Sequence, residues 1–258
     1  MGFRRLLALA GVGIAVGFFS GLFGVGGGII MVPLLILVMG LSQRMASGTS
    51  LAAVLPTAIS GLIGYAASGN VDWIAGAVLA AGAIGGSLLG TWLLHHIPQR
   101  LLRWIFVFFL AIVAVRMFFL VPDRAADLEF GVATVIGLVA LGLVTGTLSG
   151  LLGIGGGVII VPALMLIFGV GDLVAKGTSL LMMIPTAFTG TIANARRRNV
   201  DLRASAVIGL FAIPASFGGV AVAVLMPPAL SSALFAILLA YSTAQLAWNA
   251  WRQRRHTG

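Results

Sequence analysis

Apolar and polar positions alternate along this chain in long blocks. Most apolar blocks have about the 20 residues that a helix needs to cross the ~30 Å hydrocarbon core of a bilayer. The pattern predicts an all-α polytopic membrane protein with five apolar segments in each half. We place these segments at 5–23, 29–41, 46–67, 73–94 and 101–120 in the first half, and at 130–152, 158–170, 177–195, 202–225 and 229–250 in the second.

The second segment of each half is too short to cross a bilayer alone. Residues 29–41 and 158–170 would each extend only about 20 Å as helices. A glycine triplet precedes each of them. We therefore expect the first two segments of each half to form a glycine-broken or re-entrant pair with its tip inside the membrane. Irregular backbone at that depth is tolerated only against protein or a water-filled cavity. The helix count stays open between eight full spans and ten segments.

The two halves carry the same motifs at a constant offset of 129 residues. Residues 20–34 read SGLFGVGGGIIMVPL, and residues 149–163 read SGLLGIGGGVIIVPA. Duplicated halves with matched interruptions are typical of secondary transporters, which bind their substrates at these interruptions. We divide the chain into a first repeat of transmembrane helices at 1–120, a connecting loop at 121–129, a second repeat at 130–251 and a basic cytoplasmic tail at 252–258.

The basic residues indicate that the two halves are inverted. Arg196, Arg197 and Arg198 lie in a loop of the second half, and the matched loop of the first half has no basic residue. Arg44 likewise matches Leu173. Cytoplasmic loops are enriched in Lys and Arg, so matched loops that differ in this way belong on opposite sides of the membrane. We predict two inverted-topology repeats with both termini cytoplasmic.

The composition excludes several classes of protein. Hydrophobic residues make up 60% of the chain and charged residues 8%, and the mean hydropathy of +1.16 is too high for a soluble domain of this length. The net charge of +9 does not indicate a nucleic-acid partner, because the arginines lie at the ends of apolar segments. The sequence has no GxxxxGKS/T, HExxH or GxSxG motif, so we expect no ATP site, no enzyme activity, no metal and no cofactor.

Two glycine triplets are the first candidates for a binding site. They comprise Gly26, Gly27, Gly28, Gly155, Gly156 and Gly157. Glycine adopts positive φ readily, so a triplet can turn its backbone N–H groups into a cavity, and a helix that begins there adds the positive end of its dipole. These groups bind an anion without a buried cation. The alternative is that the glycines only allow close helix packing. Pro33 and Pro162 follow the triplets and are predicted helix breaks.

Polar side chains near the triplets are suited to donate further hydrogen bonds to an anion. They are Ser20, Ser149, Thr49, Ser50, Thr178, Ser179 and Asn194. The four at the starts of the third segments are also typical helix caps, and this alternative stays open. Asp72 and Asp201 are predicted N-caps, with a protonatable coupling residue as the alternative. Lys176, the single lysine of the chain, is interpreted as an interfacial charge, with attraction of an anion as the alternative.

The glycine–proline blocks resemble those of the TauE/SafE family, the sulfite-exporter-type permeases. The matching blocks run from Gly21 to Pro33 and from Gly150 to Pro162, and an AxGTS stretch follows each of them. The resemblance implies a helical transporter of the bacterial cell inner membrane. It also implies that sulfite, sulfonates or related small anions are transported, and that the glycine blocks and adjacent hydroxyls contact the substrate.

We therefore expect a secondary transporter that exports a small sulfur-containing or organic anion, such as sulfite or a sulfonate, by alternating access. A passive anion channel and a non-transporting membrane scaffold are the alternatives. The expected partners are the small anionic substrate, the lipid bilayer and a coupling proton or sodium ion, with no nucleic acid. The identity of the anion, the direction of transport, the coupling ion and the oligomeric state stay open.

Overall fold

A computed structural model describes residues 3–93, 107–108, 111–112, 114–115, 130–152 and 155–255. Most of the predicted segment at 101–120 and all of the connecting loop at 121–129 lie outside these residues. Within them, regular structure is helical throughout, which confirms the predicted all-α class. The helices are α1 (Phe3–Phe23), α2 (Gly28–Met39), α3 (Gln43–Ala67), α4 (Trp73–Leu93), α5 (Val132–Leu152), α6 (Gly157–Ile167), α7 (Asp172–Arg196), α8 (Leu202–Leu225) and α9 (Pro228–Arg255).

Among the described helices, α1, α3, α5, α8 and α9 are long and apolar enough to cross a membrane. By contrast, α2 and α6 have only 12 and 11 residues. These lengths correspond to about 18 Å and 16 Å of helix, so the predicted short second segment is confirmed in both halves. Large apolar side chains on the outer faces, such as Val132 and Leu225, are 80% and 84% exposed, as expected of side chains that face lipid.

The breaks between the first and second helices lie at the glycines. Gly24, Gly26 and Gly27 have φ values of 67°, 68° and 73°, and Gly155 and Gly156 have φ values of 82° and 84°. A residue with a β-carbon is destabilised by about 1–2 kcal/mol in this left-handed region. Glycine therefore allows the chain to leave one helix and enter the next within a few residues.

The prolines do not interrupt their helices. The predicted breaks at Pro33 and Pro162 are wrong, because α2 and α6 continue through these residues. A proline inside a helix removes a single backbone hydrogen bond, and the bonds of the neighbouring residues keep these short helices continuous. The interruption of each half is therefore confined to its glycines.

The third helices begin earlier than predicted. Gln43 begins α3 and Asp172 begins α7, in each case six residues before the first hydroxyl of the matched pair. These hydroxyls lie inside the helices, so the alternative that they are caps is wrong. The residues concerned are Thr49, Ser50, Thr178 and Ser179.

Asp72 and Asp201 cap the fourth helices, as predicted. Asp72 Oδ1 accepts a hydrogen bond from Ala75 N–H at 2.9 Å, and Asp201 Oδ1 accepts one from Ala204 N–H at 3.0 Å. A carboxylate at this position satisfies free N–H groups and interacts favourably with the helix dipole. Capping therefore accounts for both residues.

The two halves are intertwined through their first and fourth helices. α1 packs along α8, and α5 packs along α4. The glycines of α1 that face the α8 backbone are Gly13, Gly17 and Gly21. The glycines that match them on α5 and face α4 in the same register are Gly142, Gly146 and Gly150. Small residues at four-residue spacing let membrane helices approach closely. Each half thus supplies the packing partner for the first helix of the other.

The third helices of the two halves run antiparallel at the centre of the fold. Gly48, near the start of α3, lies against Asn194, near the end of α7. Gly177, near the start of α7, lies in the same way against Tyr65, near the end of α3. The two contacts are related by the 129-residue offset. An antiparallel central pair is the arrangement that inverted repeats require.

Candidate functional site

The two glycine breaks lie side by side in the interior. A β-carbon placed on Gly157 would be 2.8 Å from Val25 Cα and 2.9 Å from the Gly24 carbonyl oxygen, so the second break contacts the first directly. Val54 and Met183, which occupy matched positions on α3 and α7, both pack against the breaks. The two glycine-rich stretches thus meet around these two side chains.

Backbone N–H groups are left free where α2 begins. Ile30 and Met31 donate to the carbonyl of Gly27 at 3.1 Å and 2.9 Å. In the described part of the chain, the N–H groups of Gly26 and Gly27 have no acceptor. The first turn of α6 repeats the same bonds on the carbonyl of Gly156. Free N–H groups at the positive end of a helix dipole are suited to bind an anion.

The buried serine hydroxyls among the predicted site residues have two different environments. Ser179 donates to the carbonyl of Gly24 and, at 2.8 Å, to that of Lys176, so it holds the break in place. Ser20 and Ser50 are buried, and within the described residues their hydroxyl oxygens have no hydrogen-bond partner. An unpaired buried hydroxyl is destabilising, and a ligand that accepts a hydrogen bond from it removes that cost. Ser20 and Ser50 are therefore available to a ligand.

Thr49 and Thr178 connect the two halves. Thr178 Oγ1 accepts from Asp72 N–H at 3.0 Å, and Thr49 Oγ1 accepts from Asp201 N–H at 3.0 Å. Both threonines are buried, so water does not compete effectively for these bonds. The two bonds tie the start of each fourth helix to the third helix of the other half.

Thr178→Val is expected to lower the thermal stability of the purified protein. The change leaves Asp72 N–H without its acceptor in a partly buried position, which costs about 1–3 kcal/mol. Thr191→Val is the matched control on α7, because Thr191 Oγ1 has no partner among the described residues. The unfolding temperatures of both purified variants are measured in detergent. An equal loss of stability in the two would contradict the connecting role of Thr178.

A cavity of about 60 Å³ lies beside α7, and two of the predicted site residues, Ser149 and Asn194, line it. This volume is ample for several water molecules. Ser149 also lies next to Gly156, since a β-carbon on that glycine would be 3.6 Å from Ser149 Cβ. The cavity therefore lies beside the second glycine break, with Ser149 between them.

Three further polar residues line this cavity and were missed by the sequence analysis. They are Ser87, Thr186 and Thr189. Thr186, Thr189 and Asn194 are spaced so that they fall on one face of α7. This periodicity of small polar residues in an apolar segment was the available signal. The matched positions 57 and 60 of α3 also carry hydroxyls.

The matched region of the first half is filled by Tyr65, which occupies the position of Asn194. Tyr65 is 0% exposed, and its hydroxyl donates to the carbonyl of Gly21 on α1 at 2.8 Å. The match of Gly21 in the second half is Gly150, which lines the cavity. The two matched regions therefore differ: the region of the second half contains a cavity, and the Tyr65 side chain fills the region of the first half.

Lys176 is not an exposed interfacial charge, and the structure corrects that interpretation. Its side chain is 2% exposed, and Nζ lies 3.2 Å from Oδ2 of Asp172, whose side chain is 0% exposed. Nζ also donates to the hydroxyl of Ser231 on α9 at 2.6 Å. Asp172 was not predicted as a site residue, because a single carboxylate at the start of a helix is common.

The arrangement can bind a small anion through backbone dipoles and hydroxyls. Both glycine breaks and both second-helix starts meet here, and Ser149, which lines the cavity, packs against Gly156. Within the described ranges, no three His, Asp or Glu side chains lie close enough to hold a metal ion. His95 and His96 lie outside those ranges.

The chain is similar in sequence to a family of membrane transporters. The family model described as "Sulfite exporter TauE/SafE" matches residues 2–117 and 138–258. A "Probable membrane transporter protein" of Xylella fastidiosa (strain 9a5c) is 33% identical over 204 residues, 78% of each chain. "Probable membrane transporter protein YdhB" of Bacillus subtilis (strain 168) is 31% identical over 72% of this chain and 77% of its own. A relative from Haemophilus influenzae with the same general description is 27% identical over 93% of this chain and 94% of its own.

No solved structure matches the chain. The family match covers nearly the whole sequence, including both glycine blocks. The relatives are named as membrane transporters and not as enzymes. The chain therefore belongs to the sulfite exporter TauE/SafE family of membrane transporters.

Proposed function

We propose that this protein is a secondary transporter that exports a small sulfur-containing or organic anion, such as sulfite or a sulfonate, by alternating access. The observation that carries the proposal is the meeting of two glycine breaks beside a cavity whose lining residue Ser149 packs against Gly156. Free N–H groups and helix dipoles at the breaks supply positive potential for an anion. The name of the family supplies the class of anion.

In this proposal the anion lies between the starts of α2 and α6. The backbone N–H groups that bind it belong to Gly26, Gly27, Gly28, Gly155, Gly156 and Gly157. The side chains that donate to it are those of Ser20, Ser50, Ser149 and Asn194. Three other predicted site residues act indirectly, because their hydrogen bonds hold the halves together or fix the first break; these are Thr49, Thr178 and Ser179.

We place the protein in the bacterial inner membrane as two inverted repeats, 1–120 and 130–251, with both termini cytoplasmic. The antiparallel pairing of α3 and α7 supports this orientation. Asn194 lies near the end of α7, close to Arg196, and the distribution of basic residues assigns that end to the cytoplasm. The cavity then opens towards the cytoplasm, and Tyr65 closes the path to the other side.

Counterflow in proteoliposomes tests this function. Vesicles preloaded with unlabelled sulfite or methanesulfonate should transiently accumulate the labelled anion, because a carrier exchanges its substrate through one site. A passive channel gives uptake without accumulation, and a scaffold gives neither. A thermal-shift measurement provides a second readout, since ligand at 100 times its Kd stabilises the native state by about 2.7 kcal/mol. Absence of counterflow with every sulfur-containing and organic anion tested would refute the proposal.

A further inference from the structure

A buried ion pair lies beside the first glycine break and has no counterpart in the other half. Asp172 and Lys176 are one turn apart at the start of α7, and their side chains are 0% and 2% exposed. The matched residues of α3 are Gln43 and Ser47, which carry no charge. Because α3 forms the same helix without these charges, the fold does not require the pair.

The burial of this pair is not explained by stability. Removing two charges from water costs several kilocalories per mole, and apolar replacements of buried pairs are often no less stable. Ionisable side chains inside membrane proteins are rare, and they mark ion pathways, proton relays or substrate sites. The presence of the pair in one repeat only therefore indicates a function.

Lys176 connects the ion pair to the break. Its Cα and Cβ pack against Gly24, and Ser179 donates to the carbonyls of both residues. Its Nζ extends to Asp172 Oδ2 and to the Ser231 hydroxyl. Within the described residues, the other carboxylate oxygen of Asp172, Oδ1, is buried without a hydrogen-bond partner. One oxygen of the carboxylate is therefore available to a proton.

We propose that Asp172 is the proton-binding residue of the transport cycle and that Lys176 is the counter-charge of the transported anion. A hydronium ion transfers a proton to the Asp172 carboxylate: one O–H bond of the hydronium breaks, one O–H bond forms on the carboxyl group, and a water molecule leaves. The neutral acid no longer attracts the Lys176 ammonium, which keeps its charge and turns to an anion at the first break. One proton and one monovalent anion thus enter together, and the net charge of the site stays at zero. This inference rests on the proposed transport function.

The charged and titratable groups around Asp172 are few in the described part of the chain. Lys176 faces it from its own helix, and Ser231 of α9 contributes a neutral hydroxyl to the pair. Tyr65 of α3 is close enough to interact with its charge. Asp72, whose N–H donates to the α7 side chain two residues beyond Lys176, is the other described acidic residue on this side of α7. The helices α4, α5 and α6 also pack against α7 and carry no charged or titratable side chain. Protonation of Asp172 therefore acts mainly on Lys176.

The pH dependence of methanesulfonate binding tests the proposal, because this probe stays a monoanion throughout the accessible pH range. With the full-length wild-type protein, affinity should fall by up to about tenfold per pH unit as the pH rises, since each anion binds with one proton. In Asp172→Asn, affinity should be independent of pH, because asparagine resembles the neutral acid. Asp72→Asn is the matched control: it removes a carboxylate, keeps a capping side chain and should follow the wild type.

Infrared difference spectra between acidic and neutral pH provide a readout that needs no ligand. The chain has six acidic residues, so the diagnostic signal is a carbonyl band at the high frequency of a buried carboxyl group without hydrogen bonds, which fits Asp172 Oδ1. This band should be present in wild type and Asp72→Asn and absent in Asp172→Asn. If the single variant does not fold, Asp172→Gln combined with Lys176→Ser serves instead, since the first half carries these residues.

The outcomes separate this inference from the transport proposal. Three results would overturn the role of Asp172. They are a pH-dependent affinity that persists in Asp172→Asn, loss of binding in a folded Asp172→Asn protein, and an infrared band that Asp172→Asn leaves unchanged. If the wild type binds no methanesulfonate, the infrared band alone decides that role. Counterflow with other anions then decides the transport function.

Discussion

Gly156→Leu is expected to abolish anion flux in proteoliposomes while the protein still folds. Gly156 precedes α6 with a φ of 84°, and a leucine side chain there would enter the space bordered by Thr145, Met182 and Ser149. Ser149 also lines the cavity, so the leucine side chain would lie between the cavity and the start of α6, where we propose that N–H groups bind the anion. Each charge-assisted hydrogen bond contributes about 1.5–3 kcal/mol, so affinity falls about 10- to 100-fold for every bond lost.

Gly169→Leu separates this effect from backbone strain. Gly169 follows the other end of α6, has a φ of 66° and has open space where a β-carbon would lie. Both leucines carry the cost of a left-handed conformation, about 1–2 kcal/mol, so both variants should unfold at lower temperature than wild type. Only Gly156→Leu should lose flux. Flux in Gly156→Leu equal to that in Gly169→Leu would show that the second break does not bind the anion.

The positions of the glycine breaks could be predicted because glycine has a backbone property that other residues lack. Gly26 and Gly155 adopt positive φ without strain, and the repetition of the triplets made coincidence implausible. The prolines predicted the helix breaks less well than the glycines did. Pro33 removes one hydrogen bond from a helix whose other bonds remain, so its effect depends on packing that a local pattern does not contain.

The partners of Thr49 and Thr178 could not be predicted, because they are far away in the sequence. Thr178 bonds to a residue 106 positions distant and Thr49 to one 152 positions distant. Helical patterns describe neighbours three or four positions apart, so they suggested caps for both threonines. The exchange of helices between the halves creates these contacts, and only the folded structure reveals them.

Differences between the repeats were harder to interpret from sequence than their similarities. Tyr65 in place of Asn194 is an ordinary substitution until the structure shows a phenol filling one region and a cavity in the other. The four-residue spacing of Asp172 and Lys176 is common in helices, and only their burial in the structure distinguishes this pair. Two matched halves that share one fold need little asymmetry to prefer one of two alternating states, and these substitutions supply it.

Tyr65→Asn is expected to open the first half from the side opposite to the cavity. Asparagine is the residue that the second half carries at the matched position. The change removes the phenol and its hydrogen bond to the Gly21 carbonyl, so we expect Ser20 to line a cavity as Ser149 does now. Loss of this bond and of the aromatic packing shifts the equilibrium towards the open state by about 1.4 kcal/mol or more, which is about tenfold in population.

Thiol labelling measures this opening, and the chain contains no cysteine that would interfere. Ser149→Cys should react with a membrane-impermeant maleimide from the cytoplasmic side, and Ser20→Cys should be protected. Adding Tyr65→Asn should raise the labelling rate of Ser20→Cys from the opposite side about tenfold. Tyr241→Asn, at a side chain that is 66% exposed on α9, is the matched control and should leave the rate unchanged. Equally fast labelling of Ser20→Cys with Tyr65 in place would show that this phenol does not close the path, because the thiol would then be reached without its removal.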